Sequence, residues 1–425
     1  MKILVIGSGG REHAIVKRLS EDDKVKIYAA PGNPGIFMLA EKAKINTSEF
    51  EEIKNFVLEN QIDFVFVGPE QPLADGIADY LYASNIPVFG PSKSAAEIES
   101  SKSFAKNLMQ KYNIPTAKFC TFSKDEVDAA RIYLENSAFP VVLKADGLAA
   151  GKGVIICNTK QEAQAELGSI FEGAFGEAGD KIVIEEFLTG EEASIFAITD
   201  GIDYVLLSSA QDHKRAFDND MGKNTGGMGA YSPAPIVTEK MLKEIESSII
   251  APTIKAMEAE GRKFVGCLYA GLMITETGPK VIEFNCRFGD PETEVVLNLV
   301  EGNFSHLIYS AAKGKLNKDV VSIIQNKYSS CVVLASGGYP DSYSKNLEIT
   351  GLDSVADKNT FIYHAGTKFE EGKYFTNGGR VLCVSSTGNT LQDSLNANYN
   401  AIKAINFEGM FYRKDIGQKA FKHLN

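Results

Sequence analysis

The sequence predicts a multidomain protein of α/β and α+β class. An open parallel α/β sheet comes first, a larger module with a small lid second, and a β-rich domain last. Three observations predict this. Over the first ~90 residues the apolar runs KILVI, VKIYAA, DFVFVGPE and PVFGP alternate with helical stretches, as in a parallel sheet. Between Val141 and Cys157 two β-rich runs flank a glycine-rich turn. After about Val320 the composition turns to short β-rich runs separated by turn residues. The expected boundaries are 1–100, 101–320 with a lid at about 120–190, and 321–425.

Composition narrows the function. Hydrophobic residues at 44% and charged residues at 23% are ordinary for a globular chain of 425 residues. The 44 basic and 55 acidic residues leave a formal charge of −11 with no basic block, which argues against nucleic acid as partner. A small anionic substrate needs only a local basic pocket. The six cysteines are scattered singly with no CxxC, which points to a reducing compartment. No run approaches the ~20 apolar residues of a membrane span, and the start MKILVIGSGGREH lacks a signal-peptide pattern. A cytoplasmic enzyme is the expectation.

Lys2 to Ile6 reads as a buried strand, followed by Gly7-Ser8-Gly9-Gly10 and a helix from near Arg11. Such a loop offers free N–H groups at a positive helix end, a ready phosphate site. A dinucleotide fingerprint is not completed, because Glu12 stands where a third glycine is needed. The second strand also lacks a ribose-binding acid and runs into Pro31-Gly32-Asn33-Pro34-Gly35. A small phosphate ester therefore suits these loops better than NAD.

Ser94 to Tyr112 reads as one or two helices carrying Lys102, which by default is solvated, and Pro115 ends them. Val141 to Cys157 reads as a hairpin. It is not a P-loop, since only three residues separate Gly147 from Gly151 and Lys152 is followed by Gly153. A strand–glycine loop–strand flap over phosphates is the analogy, with Lys144 placed to reach them. Lys181 to Phe187 is a strand ending in Glu185-Glu186, and Glu191-Glu192 precede the next. Ala210 to Pro233 has little periodicity and reads as a long functional loop holding Asp212, His213, Arg215, Asn224, Thr225 and Gly226. His213 has no nucleophile partner in view and reads as a loop hydrogen-bonder.

After a helix over Glu239 to Gly261, Phe264–Ile274 and Pro279–Asn285 read as a β-pair leading into VIEFNCRFGDPETE. Residues two apart on a strand share a face, so Glu283 and Asn285 point the same way. One anionic and one amide oxygen are a hard, partial ligand set of the kind Mg²⁺ takes when phosphates supply the rest. Arg287 lies one step further, where its fork suits a carboxylate or phosphate. The bland alternative is an edge strand with a solvated acidic turn.

Taken in order, GSGGREH, PGNPG, VGPE, FGPS, LKADGLAAGKGV, IEEFLTGEEAS, QDHKR, NTGGMGAYSP, LYAGLM, VIEFNCRFGDPET, HAGT and TNGGRVL resemble the ATP-grasp carboxylate–amine ligases of purine synthesis. The resemblance spans nearly the whole chain and implies a central ATP-grasp module. It implies that Lys102 and Lys144 meet ATP phosphates under a flap containing Gly151 and Gly153. Glu185, Glu186 and Leu188 would form the adenine hinge, with Glu192 on the ribose. Glu283 and Asn285 would hold Mg²⁺ (or Mn²⁺). Asp212, Arg215, Asn224, Thr225, Gly226, Arg287, Asp290, Pro291 and Thr293 would lie at the acid and amine sites, and Gly9, Gly10, Arg11 and Asn33 beside the sugar phosphate. Lys144, Asp212 and Arg287 are the implied catalytic residues. The implied substrates are glycine, 5-phosphoribosylamine and ATP, handled by a monomer with a transient contact to the preceding enzyme. Val300-Glu301-Gly302-Asn303-Phe304 departs from the family's usual Ser-Asp-Leu turn. Rival readings are another ATP-grasp ligase, a formyl-transferring enzyme, a non-catalytic nucleotide-binding module and a dehydrogenase.

Overall fold

Five parallel strands open the chain, in the spatial order β3-β2-β1-β4-β5. They are β1 (Lys2–Gly7), β2 (Lys26–Pro31), β3 (Glu41–Lys42), β4 (Phe64–Val67) and β5 (Val88–Phe89). The computed structural model describes residues 1–148, 153–355 and 357–424. The central strands are apolar because helices cover both faces of the sheet. The strand order reverses between β1 and β4, so the crevice at their carboxyl ends is where such a sheet exposes loops to a ligand. The helix Gly10–Leu19 starts there. Glu12 folds back into the crevice, and a Cβ at Gly7 or Gly68 would collide with its side chain.

The next sheet has the order β6-β9-β7-β8 and is antiparallel throughout. It consists of β6 (Phe119–Ser123), β7 (Val141–Ala145), β8 (Val154–Cys157) and β9 (Lys181–Glu186). Its core is its own: Leu134, Leu143, Ala163, Leu167, Ile182 and Ile184 pack together apart from the larger clusters. The expected hairpin is therefore part of a separately cored lid.

The body of the central module is the sheet β11-β10-β16-β17, built from β10 (Glu191–Thr199), β11 (Tyr204–Leu206), β16 (Gly266–Thr275) and β17 (Gly278–Asn285). The pairing of β16 with β17 holds Tyr269 opposite Asn285 and Gly271 opposite Glu283, then slips so that Leu272 faces Val281. Ile282 is the extra residue, and such a bulge re-aims the strand beside a site. Phe288, just past β17, stacks on Phe66 and Phe196 with centroids 6.2 and 6.4 Å away, joining this sheet to the first one.

The stretch Ala210 to Pro233, expected as a loop, instead contains β12 (Gln211–Asp212), β13 (Arg215–Phe217), β14 (Met221–Asn224) and β15 (Gly229–Ser232). β13 and β14 form a hairpin. β12 and β15 join a sheet of order β12-β15-β20-β25-β22, completed from the end of the chain. A short pair, β18 (Val300–Gly302) with β19 (Val321–Ile323), precedes it. Its strands are β20 (Tyr328–Ala335), β22 (Thr360–His364) and β25 (Arg380–Gly388), while β21 (Glu348–Ile349), β23 (Thr367–Glu370) and β24 (Lys373–Thr376) form a smaller sheet. The helix Leu391–Ile402 covers the larger sheet. No helix among the described residues is long and apolar enough to cross a membrane.

Candidate active site

A cavity of about 660 Å³ lies where all these parts meet, lined from the first sheet by Arg11 and Glu70 and from the lid by Lys144, Gly153 and Glu185. The body contributes Glu283 and Asn285, and the C-terminal part Tyr339 and Arg380. Apolar residues on its wall include Ile98, Met109, Val142, Ile156 and Leu188, which suits a flat base.

Glu283 and Asn285 both face this space, as the alternation of β17 requires, with Phe284 buried between them. Among the described residues neither side chain has a hydrogen-bond or ion-pair partner. Burial alone would raise the Glu283 carboxyl. Lys214, Lys144, Lys102 and Arg287 outweigh it and hold the group below its ordinary value, ionised. An ionised carboxylate and an amide oxygen with no partner among the described residues fit a hard divalent cation. No group of three or more His, Cys, Asp or Glu among the described residues converges as a metal centre, so such a cation would draw further ligands from phosphate and water.

The lysines are fixed from several sides. Lys144 Nζ donates to the carbonyl of Ile282 at 2.9 Å and lies 3.0 Å from Glu185 Oε1. The second oxygen of Glu185 lies 3.0 Å from Lys106 Nζ. Lys102 Nζ donates to Gly147 O at 2.8 Å, while Asp146 beside it accepts from Ser103 N–H at 2.8 Å. Burial lowers Lys102, more than Glu283 and Asp146 raise it. Glu186 accepts from Lys118 N–H at 2.9 Å, and Glu192 pairs with Lys214 at 2.6 Å.

At the other end Arg287 is held by two carboxylates, with Nε 3.1 Å from Glu70 and an Nη 3.0 Å from Glu99. Its fork is therefore oriented by the protein, and a substrate acid would meet it alongside these partners. Arg11 gives Nε to Glu12 at 2.6 Å and an Nη to Phe288 O at 3.1 Å. Arg380 pairs with Asp290 at 2.9 Å and donates to Gly226 O at 2.8 Å. Thr225 Oγ1 donates to Lys214 O, and Asn224 lies beside it on the wall. Asp212 is raised to about 7, first by burial and then by Glu292, Glu192 and Glu283, against the opposing pull of Lys214. Glu292 accepts from Tyr269 at 3.0 Å and from Ser194 at 3.3 Å.

Six expected residues do not line the cavity: Gly9, Gly10, Asn33, Arg215, Pro291 and Thr293. Gly9 N–H donates to Glu12 Oε2 at 2.7 Å, so that amide already has a protein anion. Asn33 gives its amide protons to Ser8 O and His364 O, and accepts from Ile36 N–H. Arg215 turns into its own hairpin, 2.8 Å from Gly222 O, and Thr293 Oγ1 bonds Gly289 O. Gly151 lies outside the described residues. His213 is buried, accepts from Gly417 N–H at 3.3 Å, and is pushed to about 3 mainly by burial, a structural role as expected. Glu70, Glu99, Lys106, Tyr269, Tyr339 and Arg380 were not singled out from the sequence. Lys106 had a usable signal, since it follows Lys102 by one helical turn and shares its face.

The chain matches three family models in succession. Residues 1–99 match the N domain of phosphoribosylglycinamide synthetase, 100–293 its ATP-grasp (A) domain, and 329–419 its C domain. A phosphoribosylamine–glycine ligase of Caldanaerobacter subterraneus subsp. tengcongensis is 48% identical over 98% of this chain and 99% of the relative. The crystal structure of phosphoribosylamine–glycine ligase from Thermotoga maritima superposes with TM-score 0.84 at 34% identity, covering 98% of this chain and 100% of that one. Biotin carboxylase from Campylobacter jejuni, at 16% identity and TM-score 0.74 over 97% of this chain and 92% of that one, shares the fold alone. With matching domains in the same order and near-complete coverage, the chain belongs to the phosphoribosylglycinamide synthetase family.

Proposed function

We propose that the protein is an ATP-dependent ligase that joins glycine to 5-phosphoribosylamine through glycyl phosphate, releasing glycinamide ribonucleotide, ADP and phosphate. One observation carries this reading beyond family membership. Two hard oxygen donors without side-chain partners among the described residues, Glu283 and Asn285, share one cavity with Lys102, Lys144 and Arg287. That set suits phosphoryl transfer onto a carboxylate.

A carboxylate resists attack by an amine because its oxygen is a poor leaving group. The γ-phosphoryl group therefore passes to a glycine oxygen, breaking the bond to the β-phosphate. The amine of 5-phosphoribosylamine then forms the C–N bond as phosphate departs with the C–O pair. The protein's share is positioning and charge neutralisation. Lys144, held by Ile282 O, and Lys102, held by Gly147 O, meet the phosphates. Arg287, fixed by Glu70 and Glu99, orients the glycine acid. Asp212, near 7, takes the proton that the amine loses. A divalent cation on Glu283 and Asn285, Mg²⁺ being typical of the ATP-grasp ligases, would neutralise charge on the transferring group. The lid excludes water that would hydrolyse the acyl phosphate.

ADP release should be measured while amino acids and amines are varied. Glycine with 5-phosphoribosylamine should give one ADP per amide bond. Equal turnover with another amino acid, or none with this pair, overturns the assignment. The first sheet lends no support to a dehydrogenase, because Glu12 fills its glycine loop.

A further inference from the structure

Lys106 lies on the helix Lys102–Lys111 and is 2% exposed, deeper than either lysine expected at the phosphates. Its ammonium donates to Thr116 Oγ1 at 2.7 Å and lies 3.0 Å from Glu185 Oε2. Thr116 Oγ1 donates in turn to Val281 O at 2.7 Å, on the strand that carries Glu283 and Asn285. On the other side Glu185 Oε1 lies 3.0 Å from Lys144, and Lys144 donates to Ile282 O at 2.9 Å. Val281 and Ile282 are neighbours, so the path closes into a ring. It runs from Lys106 through Thr116, Val281, Ile282, Lys144 and Glu185 back to Lys106.

This ring spans three separate parts. Glu185 and Lys144 belong to the lid, which has its own core, while Val281 and Ile282 belong to the body and Lys106 to the linking helix. Apolar packing within the lid cannot set its angle to the body; directional bonds across the joint can. Glu185 carries one negative charge between two ammonium groups, with side chains 4%, 3% and 6% exposed. A lone Lys144–Glu185 pair would be neutral, with Glu185 held from the Lys144 side only. The second cation leaves the ring at +1 and holds Glu185 from behind, so that Lys144 keeps net positive charge toward the nucleotide.

We propose that Lys106 is a positioning residue for ATP: through Glu185 and Thr116 it fixes Lys144 relative to the metal-binding strand. Its ammonium is engaged by Thr116 Oγ1 and Glu185 Oε2, so its part is argued through them. The inference rests on the reading of this cavity as the ATP site.

The groups facing Lys106 give the proposal a pH signature. Burial pushes its ammonium down to about 8; Lys144 acts in the same direction, and Glu185 and Glu186 oppose them. Thr116 and the Phe119 ring, 5.6 Å away, are the uncharged neighbours. Above about 8 the charge is lost, and with it the ion pair that holds Glu185 Oε2.

The test is calorimetric titration of ATP, with magnesium salt, into the full chain of wild type, K106M and K106R at about pH 7.5 and about pH 9.5. Wild type should bind tightly at the lower pH and weaken at the higher. K106M should bind about tenfold or more weakly at both, since it leaves a buried carboxylate oxygen unpaired. K106R, which stays charged, should lose the weakening that belongs to Lys106. Burial lowers Lys102 alike in all three, so the difference between wild type and K106R isolates the ring. A merely structural lysine would lower the melting temperature without creating this pattern. Folded K106M with wild-type affinity, or K106R weakening as wild type does, overturns the proposal. Should K106M fail to fold, the K106R comparison decides alone. Wild-type protein that does not bind ATP would instead sink the reading of the cavity.

Discussion

Lys144 Nζ hydrogen-bonds the main-chain oxygen of Ile282, at 2.9 Å, one residue before Glu283. The carbonyl is available because Ile282 is the bulged residue of β17, left out of the pairing with β16. A lid side chain is thus tied to the backbone of the strand that carries Glu283 and Asn285, so on the proposed reading the phosphate lysine and the cation would share one reference point. Lys144→Ala removes both this bond and a cation beside Glu185. ATP should bind about 10- to 100-fold more weakly, in line with loss of a charge-assisted contact of about 1.5–3 kcal/mol. Calorimetric titration checks it, and an unchanged dissociation constant would remove Lys144 from the phosphate site.

Glu283→Gln and Asn285→Ala test the cation directly. Each should cut kcat for glycine-dependent ADP release by about 10²–10³, the scale of losing one electrostatic stabiliser of a transition state. Neither should unfold the chain, because neither side chain bonds another among the described residues. Near-normal turnover in either folded variant would contradict the assignment.

These two residues were legible because a strand alternates its faces, and Glu283-Phe284-Asn285 needs only that rule. The glycine loop was half legible: Glu12 marked it as no dinucleotide site, but that its carboxylate binds Gly9 N–H is a fact of side-chain geometry. The strands within Ala210 to Pro233 were not legible. Gly229–Ser232 has four residues and pairs with Ser329–Val332, about a hundred positions on, so no local periodicity announces it. Asn33 does not line the cavity, for a similar reason. A motif shows which residues stand together in sequence, whereas His364 O, which takes the Asn33 amide, comes from another strand entirely.

Stability should fall on mild acidification, through the joint between the first and last sheets. His13 Nδ1 accepts the His364 N–H at 2.8 Å, so that nitrogen must be unprotonated. Burial pushes His13 well below its ordinary value, assisted by His364 and Lys17, and pushes His364 to about 4. The unfolded chain protonates near 6.5 and the folded chain lower, so unfolding takes up protons as pH falls between them. The contribution is complete above about 6.5 and declines toward 4 by up to about 1.4 kcal/mol per pH unit for each histidine. Urea midpoints at about pH 7 and about pH 5 should differ accordingly, with a smaller difference in His13→Gln. Equal midpoints in the wild type would rule the joint out as an acid-sensitive point.

Glu12 gives the last prediction, because its role separates fold from ligand. Its oxygens meet Gly9 N–H at 2.7 Å and Arg11 Nε at 2.6 Å, with side chains of the pair 3% and 9% exposed. A buried pair that loses one partner leaves the other charge uncompensated, so Glu12→Gly should destabilise by about 3–5 kcal/mol. The same change completes the GxGxxG spelling and frees the Gly9 amide, yet the sheet still lacks an acid after β2 for a ribose. Thermal unfolding should therefore show a marked drop while NAD binding stays undetectable by titration. Recovered NAD binding would mean that Glu12 alone had kept this sheet from being a dinucleotide fold. A variant as stable as wild type would mean instead that Arg11 is held chiefly by Phe288 O and its other neighbours.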